Sequence, residues 1–424
     1  MTDPQDFDFP PGIAMVHSNR MEDLRKLLLD VVKGNPLPPF EKETVLLQSN
    51  GIRQWLKLGF ADTDVLGISA DTDYLLPSPF IWECYRTILP DLKIQKKSAL
   101  DRGPLTWRLY ELMDETFASN PTLYEPLIRF LREKPHPIKR YQLATQLADL
   151  LDQYQVHRAD WLMDWSNPNP DYHDRLRVKA DEASSIEIPL NLQWQPALWR
   201  QLIEDLGAED WSSNSRSTLH QALLERIDEI SRGERERPPA LPRRIIVFGI
   251  SSLPRQTLET LGKLGTISQV LFFVHNPCRH YWGNIIEGAD LLKSKRFDFK
   301  DKKQETANFE DLHLFGNPLL AAWGKQGRDF IQLLDHWDNL PYSHEVFKTD
   351  IPHFPDTEED ADTLLKKVQW GIVNLDPAPK ATSPITPDDS LTFHIAHSPQ
   401  REVEILHDQL LRIFDTKDLS LIHI

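Results

Sequence analysis

The sequence predicts an α/β protein: an open parallel sheet interrupted by a large helical insertion, with the start of a second α/β domain near the carboxyl end. Three observations predict it. Four short, largely apolar runs, I-A-M-V at 13–16, T-V-L-L at 44–47, I-I-V-F at 245–248 and V-L-F-F-V at 270–274, are continuous rather than alternating, as in strands buried on both faces. The first two runs pass directly into stretches with helical spacing, which gives the strand–helix rhythm of a parallel sheet. Between about 80 and 240 that rhythm stops and helical periodicity takes over.

Taken in order, the run at 13–16 leads into Met21, Leu24, Leu27, Leu28 and Val31, spaced for one helix face, with Ser18 or Asn19 as the expected cap. The run at 44–47 turns through Gln48, Ser49, Asn50 and Gly51 into a helix from Ile52 to Phe60. In the middle, Trp107, Tyr110, Leu112 and Met113 mark one helix, and Leu143, Leu147, Leu150, Leu151 and Tyr154 form the expected buried stripe of another. The expected organisation is a first part of the sheet domain at 13–80, a helical insertion at 81–240, the remainder of the sheet domain at 241–345, a polar Pro-containing linker at 346–389, and a further α/β domain beginning at 390–424. In that last part a strand over 391–396 and a helix over 402–414 are expected. Some 35 residues are too few for such a domain, so the chain reads as a piece of a longer protein.

Hydrophobic residues make up 40% and charged residues 26% of the 424, as in a globular protein. No apolar run reaches membrane-spanning length and the first residues are acidic and Pro-rich, so a cytoplasmic protein without a membrane partner is expected. Cys84 and Cys278 stand far apart without ligand-spaced neighbours, which supports neither a disulfide nor a zinc site, and no cofactor is expected. The formal charge of -16 argues against a protein that holds DNA mainly by neutralising phosphates, unless its basic surface lies elsewhere in a longer chain or on a partner.

A nucleoside-triphosphate loop needs glycines whose N–H groups face the phosphates, followed by Lys and Ser or Thr. Here the first strand passes through His17, Ser18, Asn19 and Arg20 without a glycine, and Gly262-Lys263 and Gly324-Lys325 continue into Leu and Gln. The strand ending at Phe248 runs into Gly249-Ile250-Ser251-Ser252, where an ATPase would place acidic residues for magnesium. No hydrolase or metalloprotease signature appears, and the run Glu358-Glu359-Asp360 reads as a solvated part of the linker.

Eight collinear stretches carry a resemblance: V-H-S-N-R at 16–20, P-F-I-W at 79–82, A-D-L with D-Q-Y at 148–154, F-G-I-S at 248–251, N-P-C-R with Y-W-G at 276–283, G-N-P-L-L at 316–320, W-G-K with G-R-D at 323–329, and H-S-P-Q-R-E-V-E at 397–404. Together they resemble the RecC family, gamma subunits of the bacterial RecBCD helicase-nuclease (exodeoxyribonuclease V), over about residues 13–415. The resemblance implies an inactive superfamily 1 helicase-like fold: a RecA-like first domain, its helical insertion, and a truncated second RecA-like domain. It also implies a non-catalytic subunit that works with RecB-like and RecD-like partners, helps split a duplex end, and scans the 3′ single strand for the Chi sequence. The last residues, Leu419 to Ile424, depart from the family pattern. An active nucleotide-dependent helicase and an interaction scaffold without DNA contact are the competing readings.

Two clusters join the resemblance to geometry. Asp149, Asp152, Gln153 and Val156 recur at i, i+3, i+4 and i+7 on one face of the helix around 143–156, and Asp and Gln suit base edges better than phosphates. The resemblance assigns Asp149, Leu150, Asp152, Gln153 and Arg158 to a Chi-reading surface; a solvated face is the other reading. Gln48, Asn50 and Gln54 lie at a strand's carboxyl end, where open α/β sheets bind ligands, although the family has Thr at the place of Asn50. Leu76, Trp82 and Arg216 also match the family's DNA-contacting positions. A core tryptophan is the alternative for Trp82.

Overall fold

The computed structural model describes residues 10–63, 65–132, 137–178, 184–207, 215–283, 285, 317–348, 354, 363–376 and 388–416. The run Glu358-Glu359-Asp360 and residues Leu419 to Ile424 lie outside the described residues. The chain divides into two compact units, Met1–Arg279 with Gln326–Phe354, and His280–Lys325 with Pro355–Ile424.

The first unit is α/β. Strand β1 (Gly12–Ser18) leads to α1 (Met21–Gly34), β2 (Glu43–Leu46) to α2 (Asn50–Ala61), and β3 (Thr72–Leu75) to α3 (Pro77–Ile88). A helical segment follows: α4 (Arg102–Ser119), α5 (Glu125–Arg132), α6 (Pro137–His157), α7 (Ala159–Trp165), a small antiparallel hairpin β4 (Arg175–Arg177) and β5 (Ser185–Glu187), then α8 (Trp194–Leu206) and α9 (Arg216–Ser231). Strand β6 (Arg244–Phe248), α10 (Arg255–Leu264) and β7 (Gln269–His275) then complete the sheet.

Every ladder of that sheet is parallel, and its order is β1-β7-β6-β2-β3. The strands that emerge after the helical segment therefore fill the middle: Val45 lies opposite Ile246, and Met15 opposite Phe272. All five residues of β6 are buried, as its unbroken apolar run requires. Its first residue is an exception in chemistry, since Arg244 is fully buried. Its guanidinium pairs with Glu43 on β2, with Nε to Oε2 at 3.0 Å, and Nη1 donates to the Asn35 carbonyl at 2.9 Å. Strand β3 was not expected; its four residues are only half-buried because it is an edge with a neighbour on one side.

Among the described residues, two hydrophobic clusters stand apart in this unit. One packs Val16, Leu24, Leu28, Val45, Leu56, Phe248 and Phe273 between the sheet and its helices. The other packs Leu105, Leu109, Leu147, Leu151, Trp165 and Trp199 among α4, α6, α7 and α8. Within α6 the buried stripe is Leu143, Ala144, Leu147, Ala148, Leu151 and Gln155. Leu150 and Tyr154, expected in it, pack at its margin, and Gln155 takes the inner position by donating from Nε2 to the Leu100 carbonyl at 3.2 Å. Trp107 is exposed rather than core and lies against Tyr141. Ser18 does not occupy the cap of α1: the cap residue is Arg20, and Ser18 Oγ accepts from the Arg20 N–H at 3.1 Å.

The second unit contains α11 (Pro318–Trp323), α14 (Leu364–Val373) and α15 (Pro399–Thr416), while α12 (Lys325–Asp335) and α13 (Leu340–Phe347) lie between the first two in the chain and belong almost wholly to the first unit. Asn317 caps α11, accepting from the N–H groups of Leu319 and Leu320 and donating to the Asp376 carbonyl. The strand expected over 391–396 does not form. Those residues pair with no strand among the described residues, and a strand has no ladder to hold it without a neighbour. The helix expected after it is present as α15.

Candidate functional site

Three parallel strands release their chain at the same edge of the sheet, and the turns they release line one cavity of about 360 Å³. Leu47 and Gln48 follow β2, Leu76 follows β3, and Ile250, Ser252 and Leu253 follow β6. This is the carboxyl edge, where open α/β sheets bind their ligands. The far wall comes from α3, through Trp82 and Tyr85, and from Val156 of α6 and Arg216 of α9.

Each wall residue has a local reason for its place. Ser49 caps α2 by accepting from Ile52 N–H at 3.3 Å, and this leaves Gln48 in the turn, where its Oε1 accepts from Ser251 Oγ at 3.3 Å. Prolines in the first turn of α3 fix its start, so that Leu76, the cap residue, faces outward at 51% exposure. Gly249 makes the turn after β6 in the left-handed region, φ +61°, and a Cβ there would lie 2.5 Å from Met21 Cε. Only glycine takes that conformation without a cost of about 1–2 kcal/mol.

Trp82 is half-buried, edge-on to Tyr85 at 5.4 Å between ring centroids. The Arg216 guanidinium lies 5.4 Å from the Trp82 ring and 3.9 Å from Asp152. Burial pushes the Tyr85 hydroxyl well above the usual phenol range, against the pull of Arg216, so it remains a neutral donor. The cavity thus offers an aromatic face, a cation held beside it, an amide and an apolar rim. That combination suits a planar ring attached to an anion.

Of the positions expected from the sequence, Gln48, Leu76, Trp82 and Arg216 meet in this cavity, and Asp152 joins them through Arg216. Asn50 and Gln54 stand exposed one turn apart on α2 and do not line it. Asp149 is paired with Arg102 of α4, whose Nη2 donates to Oδ2 at 3.0 Å. Leu150 packs against the helical core, and Gln153 faces solvent. Arg158 is committed locally: it holds Asp160 through two bonds of 3.0 and 2.7 Å, donates to the Arg177 carbonyl and stacks on Trp161 at 3.8 Å. The acidic face of α6 is therefore matched by arginines. Sequence reasoning missed Ile250, Ser252, Gln256 and Thr257 as wall residues, although the G-I-S-S turn was visible as the place where acids are lacking.

At the end of β1, where a phosphate loop would begin, His17 is held neutral: burial lowers its pKa to about 4. Its Nδ1 has no hydrogen-bond partner among the described residues. Among the described residues no helix is long and apolar enough to cross a membrane.

Fold and cleft together define an open parallel α/β protein with a cavity beyond the carboxyl ends of its strands. Comparison with known proteins places that architecture more narrowly. Residues 13–375 match the family described as RecC, N-terminal domain, and the chain belongs to that family. It is 34% identical over 434 residues to the RecBCD enzyme subunit RecC of Escherichia coli strain K12, an alignment covering 95% of this chain and 35% of the relative. The corresponding figures for the RecBCD enzyme subunit RecC of Haemophilus influenzae are 32%, 94% and 36%, and for that of Mycolicibacterium smegmatis 26%, 93% and 31%. The chain spans about a third of the length of these relatives.

Proposed function

We propose that this chain is the DNA-guiding, non-catalytic part of a RecBCD-type helicase-nuclease acting in double-strand break repair and recombination, and that its cleft holds the 3′ single strand and takes part in reading Chi. The observation that carries this reading is the convergence of Gln48, Leu76, Trp82 and Arg216 on one cavity from three separate segments of the chain. A base stacked on Trp82, with Arg216 near its phosphate, would gain about 1–3 kcal/mol from the ring alone.

In this reading 13–80 and 241–345 form a RecA-like domain interrupted by the helices of 81–240, and 390–424 begins a second one. The domain does not turn over ATP. Supporting this, the link between β1 and α1 contains no glycine, and its Ser18 hydroxyl is engaged with its own chain at Arg20. The turn after β6 offers Ser251 and Ser252 in place of carboxylates for magnesium. RecB-like and RecD-like subunits would supply the motor and nuclease, and the assembly would work in the cytoplasm.

The test is photocrosslinking of a 3′-tailed duplex in the assembled complex. Label on peptides containing Trp82 or residues 149–158 supports the reading. No label between 48 and 216 would replace it with an interaction scaffold, and ATP binding by the purified chain in calorimetry would replace it with an active motor.

A further inference from the structure

The cleft does not end at Val156. A second cavity, of about 370 Å³, adjoins it, and Val156 and Gln256 line both. One wall of this second cavity is the α6–α7 junction with Asp160 and Met163; the opposite wall is His220 and Gln221 of α9 with Arg255 and Glu259 of α10.

Its charges are matched within the protein. Arg177 holds Asp164 through two bonds of 2.7 Å, and Arg158 holds Asp160. Arg255 at 2.7 Å and His220 at 3.0 Å share Glu259. Burial by itself would raise the Glu259 pKa, but those two partners outweigh it and keep the carboxyl below its ordinary value. Such a cavity is not built for phosphate. One unengaged group is a neutral amide: Gln256 is half-buried at the junction of the two cavities, its carbonyl accepts from Thr260, and its side chain has no hydrogen-bond partner among the described residues. Met163, which lines the same cavity, is 47% exposed and offers an apolar, polarisable surface.

We propose that the single-strand path continues past Gln256 into this second cavity, and that Gln256 reads the edge of the base entering it while Met163 supports that base's face. The inference rests on the reading of the first cleft as a single-strand site. An amide that both donates and accepts can pair two-pronged with a base edge, most naturally adenine, and a good pair of this kind discriminates roughly tenfold or better. Phosphates need no new cation here, since the chain would enter base-first.

The experiment uses the assembled full-length complex and a 3′ tail carrying 5-iodouracil at successive positions. At one register irradiation should label peptides containing Trp82, and at a following register peptides containing Met163, which lines the second cavity and not the first. Gln256→Leu, which keeps the side chain's size, should reduce the sequence-dependent change in cutting about tenfold. Label confined to the first cleft overturns the inference and leaves the proposed function standing. Label in neither overturns both, and an unchanged sequence response in Gln256→Leu removes Gln256 as a base reader.

Discussion

Arg216 shows how one side chain ties the candidate cleft together: its stem crosses from α9, and its head lies between the Trp82 ring and Asp152. Asp152 and Asp149 are thus partnered carboxylates, the latter with Arg102, and solvent-accessible pairs of this kind contribute about 0–1 kcal/mol each. Replacing both by alanine should lower stability by no more than about 2 kcal/mol, because the buried stripe of α6 is untouched. It should also release two guanidiniums. In the reconstituted complex, DNA affinity should then depend more steeply on salt, with the log–log slope rising by about 1–2, while sequence response falls. An unchanged slope would mean that Arg102 and Arg216 do not face the strand. The candidate cleft was legible in part. Gln48, Leu76, Trp82 and Arg216 stood out through resemblance and strand-end position, and Val156 through helical spacing. The pairing of Asp149 with Arg102 was not, because those residues lie on different helices and nothing local in either signals the other.

At the scale of elements, the sheet depends on a charge where its pattern calls for hydrocarbon. Arg244 opens β6, reaches Glu43 of β2 and closes on the end of α1 through the Asn35 carbonyl, all without exposure. Arg244→Ala should cost about 3–5 kcal/mol in urea unfolding, since Glu43 would be left buried without its partner. Joint replacement of Arg244 by Met and Glu43 by Leu should recover most of that loss. A loss under 1 kcal/mol for the single change would show that water reaches Glu43. The strands at 13–16, 44–47, 245–248 and 270–274 could be read from their apolar runs because burial on both faces leaves an unbroken signature. Strand β3 could not, since an edge position tolerates Thr72 and Asp73. The stretch 391–396 carried a strand's composition and yet stays unpaired, which separates propensity from the presence of a neighbour.

For the first unit as a whole, the strand order β1-β7-β6-β2-β3 means that the sheet is assembled from segments far apart in sequence, while the helical core is local to residues 100–206. Native-state hydrogen exchange should therefore find β1, β2, β6 and β7 opening together, with α4, α6 and α8 forming a separate cooperative group. Exchange of β1 in step with the helices rather than with β7 would contradict a helical cluster separate from the sheet. The same order has a consequence for biosynthesis. β1 has one neighbour in the sheet, and at about 5–20 residues per second the roughly 250 residues from Ser18 to Gln269 take on the order of ten seconds or more to leave the ribosome. Through that interval Ala14, Met15 and Val16, fully buried in the finished protein, have no ladder to join. The nascent chain must carry a sticky, unpaired edge while its helices fold, which makes the newborn protein, rather than the mature one, a client for chaperones that hold extended apolar segments.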